Sequence, residues 1–415
     1  MLFEGEGFGG GDEGARKGAV ERGVVCLETI NIRDFLSGVS KLSMSKKRTK
    51  LILSPCGTSI LTNKVDNKLR PLIFKHANTP EPISGPEGEF LKKRLKERRE
   101  LLLQLSPEEA SEISAEINGI FRIYQGKISS GSKDIHILIA TDTWLGRETA
   151  RMVETWLRYQ GVTNVQVWDD IAGLRTDSLD NFHCAVSGLV RRLHESLSGY
   201  KDKGFKIIFN LTGGFKSIQG ILQTLSQFYA DEAVYIFETG EELLRIPRLP
   251  LVLDVLPSIR KNLTVWRRLA LGLPVKPDVC RSIPDSFLLS LGEEITLSPW
   301  GELIWQQCKQ KIYQERFWEP PSERITFSEE FAKDVNDLPP DRRYEINKRM
   351  DELALHLERE KYYNPRSLNC HPLKGKPVPD CTHEIYAWSD RDARRIFGVC
   401  HGHKRFEIKK LEKHL

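Results

Sequence analysis

One run constrains the fold more than any other: residues 207–220 read IIFNLTGGFKSIQG. Ile207, Ile208 and Phe209 form a buried strand, and a polar turn leads from Asn210 into a helix that opens near Lys216 and Ser217. Adjacent glycines, Gly213 and Gly214, let the backbone turn tightly and approach a ligand without a Cβ in the way. The following helix aims its unpaired N–H groups and positive dipole end at the same place. With Lys216 beside them, these features make an anion cradle at the carboxyl end of a strand, where open α/β sheets take ligands. A ligand with phosphates is expected there, although many strand-to-helix turns carry glycine for packing alone.

The spacing of a P-loop is absent. A second unit lies upstream: residues 51–63 read LILSPCGTSILTN, an apolar strand, the small turn Gly57-Thr58-Ser59, and then Asn63. Between them, ILIATDTWLGRETA at 137–150 is another strand-loop-helix unit, and VQVWDDI at 165–171 another strand. SAEINGIFRIY at 114–124 reads as a helical insertion. The pair strand-GTS-x-x-x-N and strand-N-x-T-G-G-x-K resembles the CRISPR-associated Rossmann-fold (CARF) sensor domains over roughly residues 46–255. The resemblance implies a homodimer that binds a cyclic oligoadenylate across its two-fold axis. Cyclic tetra-adenylate is the expected ligand, since its even symmetry fits a two-fold site, with cyclic hexa-adenylate second. The implied contacts are Gly57, Thr58, Ser59 and Asn63, then Thr141, Asp142 and Thr143, then Asn210, Thr212, Gly213, Gly214, Lys216 and Ser217.

A chain of 415 residues exceeds one ordinary core and predicts two or three domains. Its 40% hydrophobic and 29% charged content is ordinary for a globular protein. A net charge of +5 is mild, so a nucleic-acid site must come from local clustering. No apolar run approaches a membrane span, and MLFEGEGFGGGDEG lacks both the basic start and the apolar stretch of a signal peptide. Eight scattered cysteines suit a reducing cytoplasm. The first 43 residues are glycine- and acid-rich at the front with little periodicity, so a disordered extension is expected, with Met44 as an alternative start. Within it, CLETINIRDFLSGVSKL could make a short helix.

Residues 87–125 predict two helices. EGEFLKKRLKERRELLLQL carries a solvated charged face, and the second helix starts at Ser106-Pro107-Glu108-Glu109, with Ile113, Ile117, Ile120, Phe121 and Tyr124 on one face. From 135 to 255 strands and helices alternate, which predicts a parallel sheet. Prolines punctuate 256–320, where NLTVWRRLALGL, the hairpin FLLSLGEEITLSP and LSPWGELIWQQCKQKIYQERF follow in order. That order resembles winged-helix modules. Trp300, Leu303, Ile304 and Trp305 read as packing residues, which favours a connector or dimer brace over a DNA reader.

The last hundred residues begin with a short strand, Ile325 to Phe327, and a helix capped by Ser328 with Glu329 and Glu330 in its first turn. A long amphipathic helix follows Pro339 and Pro340, with Tyr344, Ile346, Met350, Leu353 and Leu357 inward. Then come NPRSLNCHPLKGKPVPDC and the strands HEIYAWSD, ARRIFGVC and RFEIKKLEKHL. This strand–helix–helix–meander, with L-x-G-x-P before the meander, resembles the RelE superfamily over about 322–415, small ribonucleases that cut mRNA in the ribosomal A site. From Arg366 to Leu415 there are 11 Lys/Arg against 6 Asp/Glu, plus five histidines. Tyr386, Trp388, Phe397 and Phe406 lie among them, a mixture that suits an RNA backbone and stacked bases.

The resemblance implies metal-free cleavage in which fixed cations meet the growing charge and a positioned side chain moves the proton. The family's arginine maps to Arg395, with Arg394 beside it. The family's basic residues on the preceding strand fall at His383 to Tyr386, where this chain has His-Glu-Ile-Tyr, so His383, Glu384, Tyr386 or His401 stands in as base. Lys409, Lys410 and Lys413 bind RNA or supply the acid, and Lys374, Lys376, Lys404 and Arg405 complete the basic patch. Zinc binding by Cys370, His371, Cys381, His383, Cys400, His401 and His403 is disfavoured, since no C-x-x-C occurs. A HEPN ribonuclease would use an R-x4-6-H pattern, met by Arg349/His356, Arg366/His371 and Arg395/His401, but HEPN domains are helical bundles. A ligand-controlled transcription regulator using 256–320 is the non-enzymatic alternative.

The expected architecture is therefore α/β: an extension (1–43), a Rossmann-like sensor (44–255), a helical, winged-helix-like connector (256–321) and an α+β RelE-like domain (322–415). The expected activity is cyclic-oligoadenylate-activated cleavage of mRNA on ribosomes in antiviral defence.

Overall fold

The structure, a computed structural model, describes residues 48–413 apart from 66–68, 238–239, 241, 360–361, 375–377 and 403. The expectations for residues 1–43, for the helix in CLETINIRDFLSGVSKL, and for Lys376 and His403 lie outside the described residues.

The first sheet contains β1 (Lys50–Pro55), β2 (Ile135–Ile139), β3 (Val165–Trp168), β4 (Lys206–Asn210), β5 (Glu232–Ile236) and β6 (Leu243–Pro247) in the order β3-β2-β1-β4-β5-β6. Leu51 of β1 sits opposite Ile135 on one side and Ile207 on the other, both in parallel register. Leu51, Ile52 and Leu53 are all fully buried, as a parallel strand covered on both faces requires. The expected parallel order holds through β5 but not to 255. β6 runs antiparallel to β5, because the few residues between them cannot make a crossover.

Helices α1 (Ser59–Thr62), α2 (Leu69–Lys75), α3 (Gly85–Gln104), α4 (Pro107–Ile113) and α5 (Ala115–Ile123) separate β1 from β2. The single helix expected after Ser106 is thus two, α4 and α5. Ser106 caps α4 in a reciprocal box with Glu109, but Ser114 is extended (φ −136°) and caps a new start. α6 (Trp144–Tyr159), α7 (Leu179–Asp202) and α8 (Lys216–Tyr229) follow β2, β3 and β4. Ile52, Leu138 and Ile208 face a core with Ile117, Ile120 and Trp156, while Leu53 and Phe209 face Leu189 of α7 and Leu222 of α8.

The next region holds α9 (Leu256–Lys261), α10 (Leu263–Leu271), the hairpin β7 (Leu288–Leu291) and β8 (Glu294–Leu297), and α11 (Pro299–Glu315). α10 stops at Gly272, whose φ of +65° suits glycine at a helix end. α11 is shared between cores: Leu303 packs with α7 and α8, whereas Ile304, Trp305 and Ile312 pack with α10. The four residues read as packing groups are all buried or half-buried.

The C-terminal sheet, order β10-β11-β12-β13-β9, contains β9 (Ile325–Phe327), β10 (His371–Pro372), β11 (His383–Trp388), β12 (Arg394–His401) and β13 (Arg405–Lys413). β9 lies parallel to β13 and the others are antiparallel neighbours. α12 (Glu329–Asn336), capped by Ser328, and α13 (Pro340–Glu358) cover one face, burying Phe331, Ile346, Met350 and Leu353 against Ile385, Ile396 and Ile408. Tyr344, expected inward, is half-exposed and turns toward the connector. From Arg48 onward the chain packs as one unit, because α11 touches both α7 and α13. Among the described residues no helix is long and apolar enough to cross a membrane.

Candidate functional site

The strand order reverses between β1 and β4, so the two turns read from the sequence lie side by side at a topological switch point. Their backbones nearly touch. A Cβ on Gly57 would come within 3.2 Å of Gly214 Cα, and Gly214 itself has φ +97°. Glycine is needed at both places for closeness and, at Gly214, for the left-handed backbone.

Between the turns sits a residue the sequence reading missed. Glu116, in the first turn of α5, is 1% exposed. Its Oε1 accepts the backbone N–H of Gly57 at 2.8 Å and of Gly214 at 3.1 Å. Its Oε2 accepts the hydroxyls of Ser59 at 2.7 Å and Ser114 at 2.8 Å. A Cβ on Gly213 would fall 2.3 Å from that carboxylate, which accounts for the second glycine of the pair. The cradle read as a phosphate site is therefore filled at its floor by the chain's own carboxylate. In sequence, Glu116 looks like an ordinary acidic residue at a helix start.

This geometry sorts the expected contacts. Asn210 is fully buried, donates to Ser54 Oγ and the Glu116 carbonyl, and holds the turn from inside. Ser59 gives its hydroxyl to Glu116 and accepts the Ala115 N–H. The Asn63 carbonyl accepts from Arg98. Thr141 and Thr143 are buried and bonded to each other, and Thr143 caps α6 by accepting the Gly146 N–H. Asp142 is held by Arg147, Arg175 and the Gly173 N–H. Three groups of the second turn are left without a partner among the described residues or exposed. The Thr212 hydroxyl is buried without a partner, Lys216 and Ser217 are exposed, and Phe215 leaves the start of α8 without a side-chain cap. The crevice beside them is bounded by Thr141, Arg175, Phe215 and Ser217.

On the C-terminal sheet, β11 and β12 pair Tyr386 with Arg395. The Arg395 guanidinium lies 3.6 Å from the centre of the Tyr386 ring and donates to the Trp388 and Arg394 carbonyls. It is 5% exposed, with its Nε unpartnered. Arg394 and Arg342 both lie over Trp388, at 5.8 and 4.7 Å. Lys413 reaches Asp392 at 3.8 Å near the same end. Tyr386 also lines a groove of about 550 Å³ with Arg342, Arg366 and Gln314.

Other expected site residues are not brought there. His401, six residues along β12, lies roughly 20 Å from Arg395 at about 3.3 Å per residue. It sits 3.8 Å from Glu407, beside the exposed Lys404 and Arg405. His383 pairs with Gly398 and bonds Thr382, while Glu384 binds His371 at 2.9 Å. Lys409 pairs with Glu407 and Lys410 with Glu412; Lys374 is exposed. Trp388, Phe397 and Phe406 are at most 5% exposed, so they serve the core and not base stacking as expected. Tyr386 alone of those four rings is half-exposed.

Among the described residues no group of three His, Cys, Asp or Glu side chains is arranged to hold a metal. Burial, with Cys400 nearby, pushes the Cys370 thiol up to about 12, so it stays protonated. Of the HEPN pairs, Arg349 and His356 both lie on α13 with other partners: Arg349 is bonded to Glu345, Glu352 and the Ala387 carbonyl, and His356 to the Tyr363 carbonyl.

Comparison with curated proteins found no match. Residues 111–249, from α4 to just past β6, match the family model of a CRISPR-associated protein (Cas_APE2256). The matched third of the chain contains Glu116 and the whole 207–220 run, and it supports a CRISPR-associated protein.

Proposed function

We propose that this protein is a CRISPR-defence effector in which a CARF-like sensor binds a cyclic oligoadenylate, cyclic tetra-adenylate first, as a homodimer. The observation that carries this reading is the switch point. Two glycine turns, an uncapped helix start and Lys216 meet there, and the second turn, the helix start and Lys216 lie within the segment that matches a CRISPR-associated family. The effector is the C-terminal α+β unit, whose strand–helix–helix–meander order supports a RelE-like ribonuclease acting on mRNA in ribosomes.

In the proposed reaction the RNA 2′-oxygen attacks the adjacent phosphorus and the bond from phosphorus to the 5′-oxygen breaks. A base takes the 2′ proton and an acid protonates the leaving oxygen, giving a cyclic phosphate and a 5′-hydroxyl. Arg395 and Arg394 offset the charge that grows on the phosphate. Tyr386, stacked on Arg395, is the best-placed proton carrier, whereas His401 is too distant to share that site. Ligand binding shifts the population toward the active arrangement, so the ligand must contact that arrangement better.

The transcription-regulator reading is disfavoured because α11 is buried between α7 and α13 and is not free to enter a DNA groove. The test is to incubate the protein with translating ribosomes or with naked mRNA, adding cyclic tetra-adenylate, cyclic hexa-adenylate or neither. Cleavage that needs both ribosome and ligand is the expected result. Cleavage of naked mRNA points to an unspecialised or HEPN-like nuclease. Ligand binding with no cleavage rejects the enzyme.

A further inference from the structure

We infer that Glu116 is the positioning residue of the sensor crevice: its carboxylate clamps the Gly57 and Gly214 turns together and thereby orients the free groups that meet a ligand. The inference rests on the proposed ligand reading for its consequence, but the clamp itself stands on geometry. One carboxylate oxygen holds backbone N–H groups from turns 157 residues apart in sequence, and the other holds two hydroxyls. Both hydroxyls are themselves fixed, since Ser59 accepts the Ala115 N–H and Ser114 the Ile117 N–H. The four acceptor positions of the carboxylate and both hydroxyl protons are thus committed, with Glu116 itself at 1% exposure.

The alternative is that the carboxylate is a stand-in that ligand phosphate displaces. Displacement would strip a buried carboxylate of four charge-assisted bonds and would have to pull α5 out of a core that includes Ile117 and Ile120. A clamp needs no such movement. It also assigns ligand phosphate to the mouth, at Lys216, Ser217 and the start of α8, because the floor already holds a negative charge.

The two ideas separate with Glu116→Gln and Glu116→Ala. A glutamine keeps an acceptor for the two glycine N–H groups and lets the hydroxyls accept, whereas alanine orphans all four donors. Cyclic tetra-adenylate binding is measured by calorimetry well below each variant's melting temperature. Hydrogen exchange of peptides spanning 51–59 and 209–217 is followed without ligand. The clamp predicts faster exchange in both peptides for Glu116→Ala, protection restored by Glu116→Gln, and ligand affinity at least about tenfold weaker in Ala than in Gln. Affinity that rises in both variants would mean a displaced stand-in and overturn the clamp. Unchanged exchange in Glu116→Ala would overturn it too. If the wild-type protein binds no cyclic oligoadenylate, the ligand reading fails while the exchange data still decide the clamp. If Glu116→Ala does not fold, the Gln variant's exchange against wild type decides it: protection retained supports the clamp, protection lost overturns it.

Discussion

Arg191 of α7 donates Nε and Nη2, each at 3.1 Å, to the two carboxylate oxygens of Glu302 on α11. The Glu302 side chain is 2% exposed and the Arg191 side chain 48%, so the two partners do not stand equally. Removing Arg191 leaves a buried carboxylate with, among the described residues, only the Gln306 amide as donor, while removing Glu302 leaves an arginine that water can solvate. Arg191→Ala is therefore expected to cost about 2–3 kcal/mol and Glu302→Ala, discounted for solvent screening, under about 1 kcal/mol from the lost pair. Urea unfolding of both variants checks the order; a larger loss for Glu302→Ala would contradict it.

The connector and C-terminal unit share a second buried pair. Arg267, fully buried, donates to Asp351 at 2.8 Å, to the Glu319 carbonyl at 2.6 Å and to the Asn347 carbonyl at 3.1 Å. Tyr313 donates its hydroxyl to the other Asp351 oxygen at 2.6 Å. Arg267→Met should cost about 3 kcal/mol, since Asp351 then keeps only the Tyr313 hydroxyl and Lys309, 3.7 Å away, among the described residues, and Tyr313→Phe about 1–3 kcal/mol. Replacing Arg267 and Asp351 together with apolar residues should recover much of the loss, which a double-mutant cycle measures.

Gly119 in α5 shows which of two effects wins. In an open helix, glycine to alanine stabilises by about 1 kcal/mol. Here a Cβ would sit 2.0 Å from Asn210 Oδ1, and Asn210 is fixed by bonds to Ser54 and the Glu116 carbonyl. Overpacking of about 1–3 kcal/mol should outweigh the helix gain. Gly119→Ala is expected to lower the melting temperature, and any rise would show that Asn210 can move.

The pH response follows from His136 on β2. Burial, with Lys50 nearby, lowers its pKa to about 3, so the folded state keeps the ring neutral. Between that value and the unfolded value of about 6.5 the unfolded chain binds more protons, so stability rises with pH there. The contribution is complete above about pH 6.5 and is lost as pH falls, by at most about 1.4 kcal/mol per unit. His194, also lowered by burial, adds in the same direction. Melting curves from pH 7 to 5 should fall, and His136→Phe should flatten them; an unchanged slope would exclude His136 as the source.

For the proposed nuclease, Arg395→Ala should abolish ligand-dependent cleavage while leaving ligand affinity within about threefold, as expected for sites in separate cores. Because its guanidinium stacks on Tyr386, the variant should also lose about 1–2 kcal/mol of stability, so cleavage is compared at a temperature where both proteins are folded. Lys404→Ala, on the exposed turn near His401, should reduce cleavage only mildly and keep its dependence on ligand. Full activity in Arg395→Ala would move the active site elsewhere on the sheet.

The 207–220 turn was legible because each of its signals is local: apolar strand residues, two glycines and a helix start within fourteen positions. Ser106 and Ser328 were legible as helix starts because a capping hydroxyl accepts the backbone N–H of the residue three positions on. The break at Ser114 was missed, although its hydroxyl caps locally by accepting the Ile117 N–H, because Ile113, Ile117 and Ile120 continue one helical face across it. The aromatic run from Tyr386 to Phe406 was misread as a stacking surface for the same kind of reason. Alternation in a strand says that two faces differ, but not which face a helix will cover.

By itself, then, the sequence determined most of the strand and helix order, the parallel-rich α/β character, and the positions of two tight turns, because caps, periodicity and glycine act over a few residues. Tertiary structure alone decided that β1 lies beside β4, that Glu116 fills the gap between their turns, and that α11 joins α7 to α13. Those outcomes depend on burying whole faces at once and on pairing buried charges far apart in the chain, which no local pattern records.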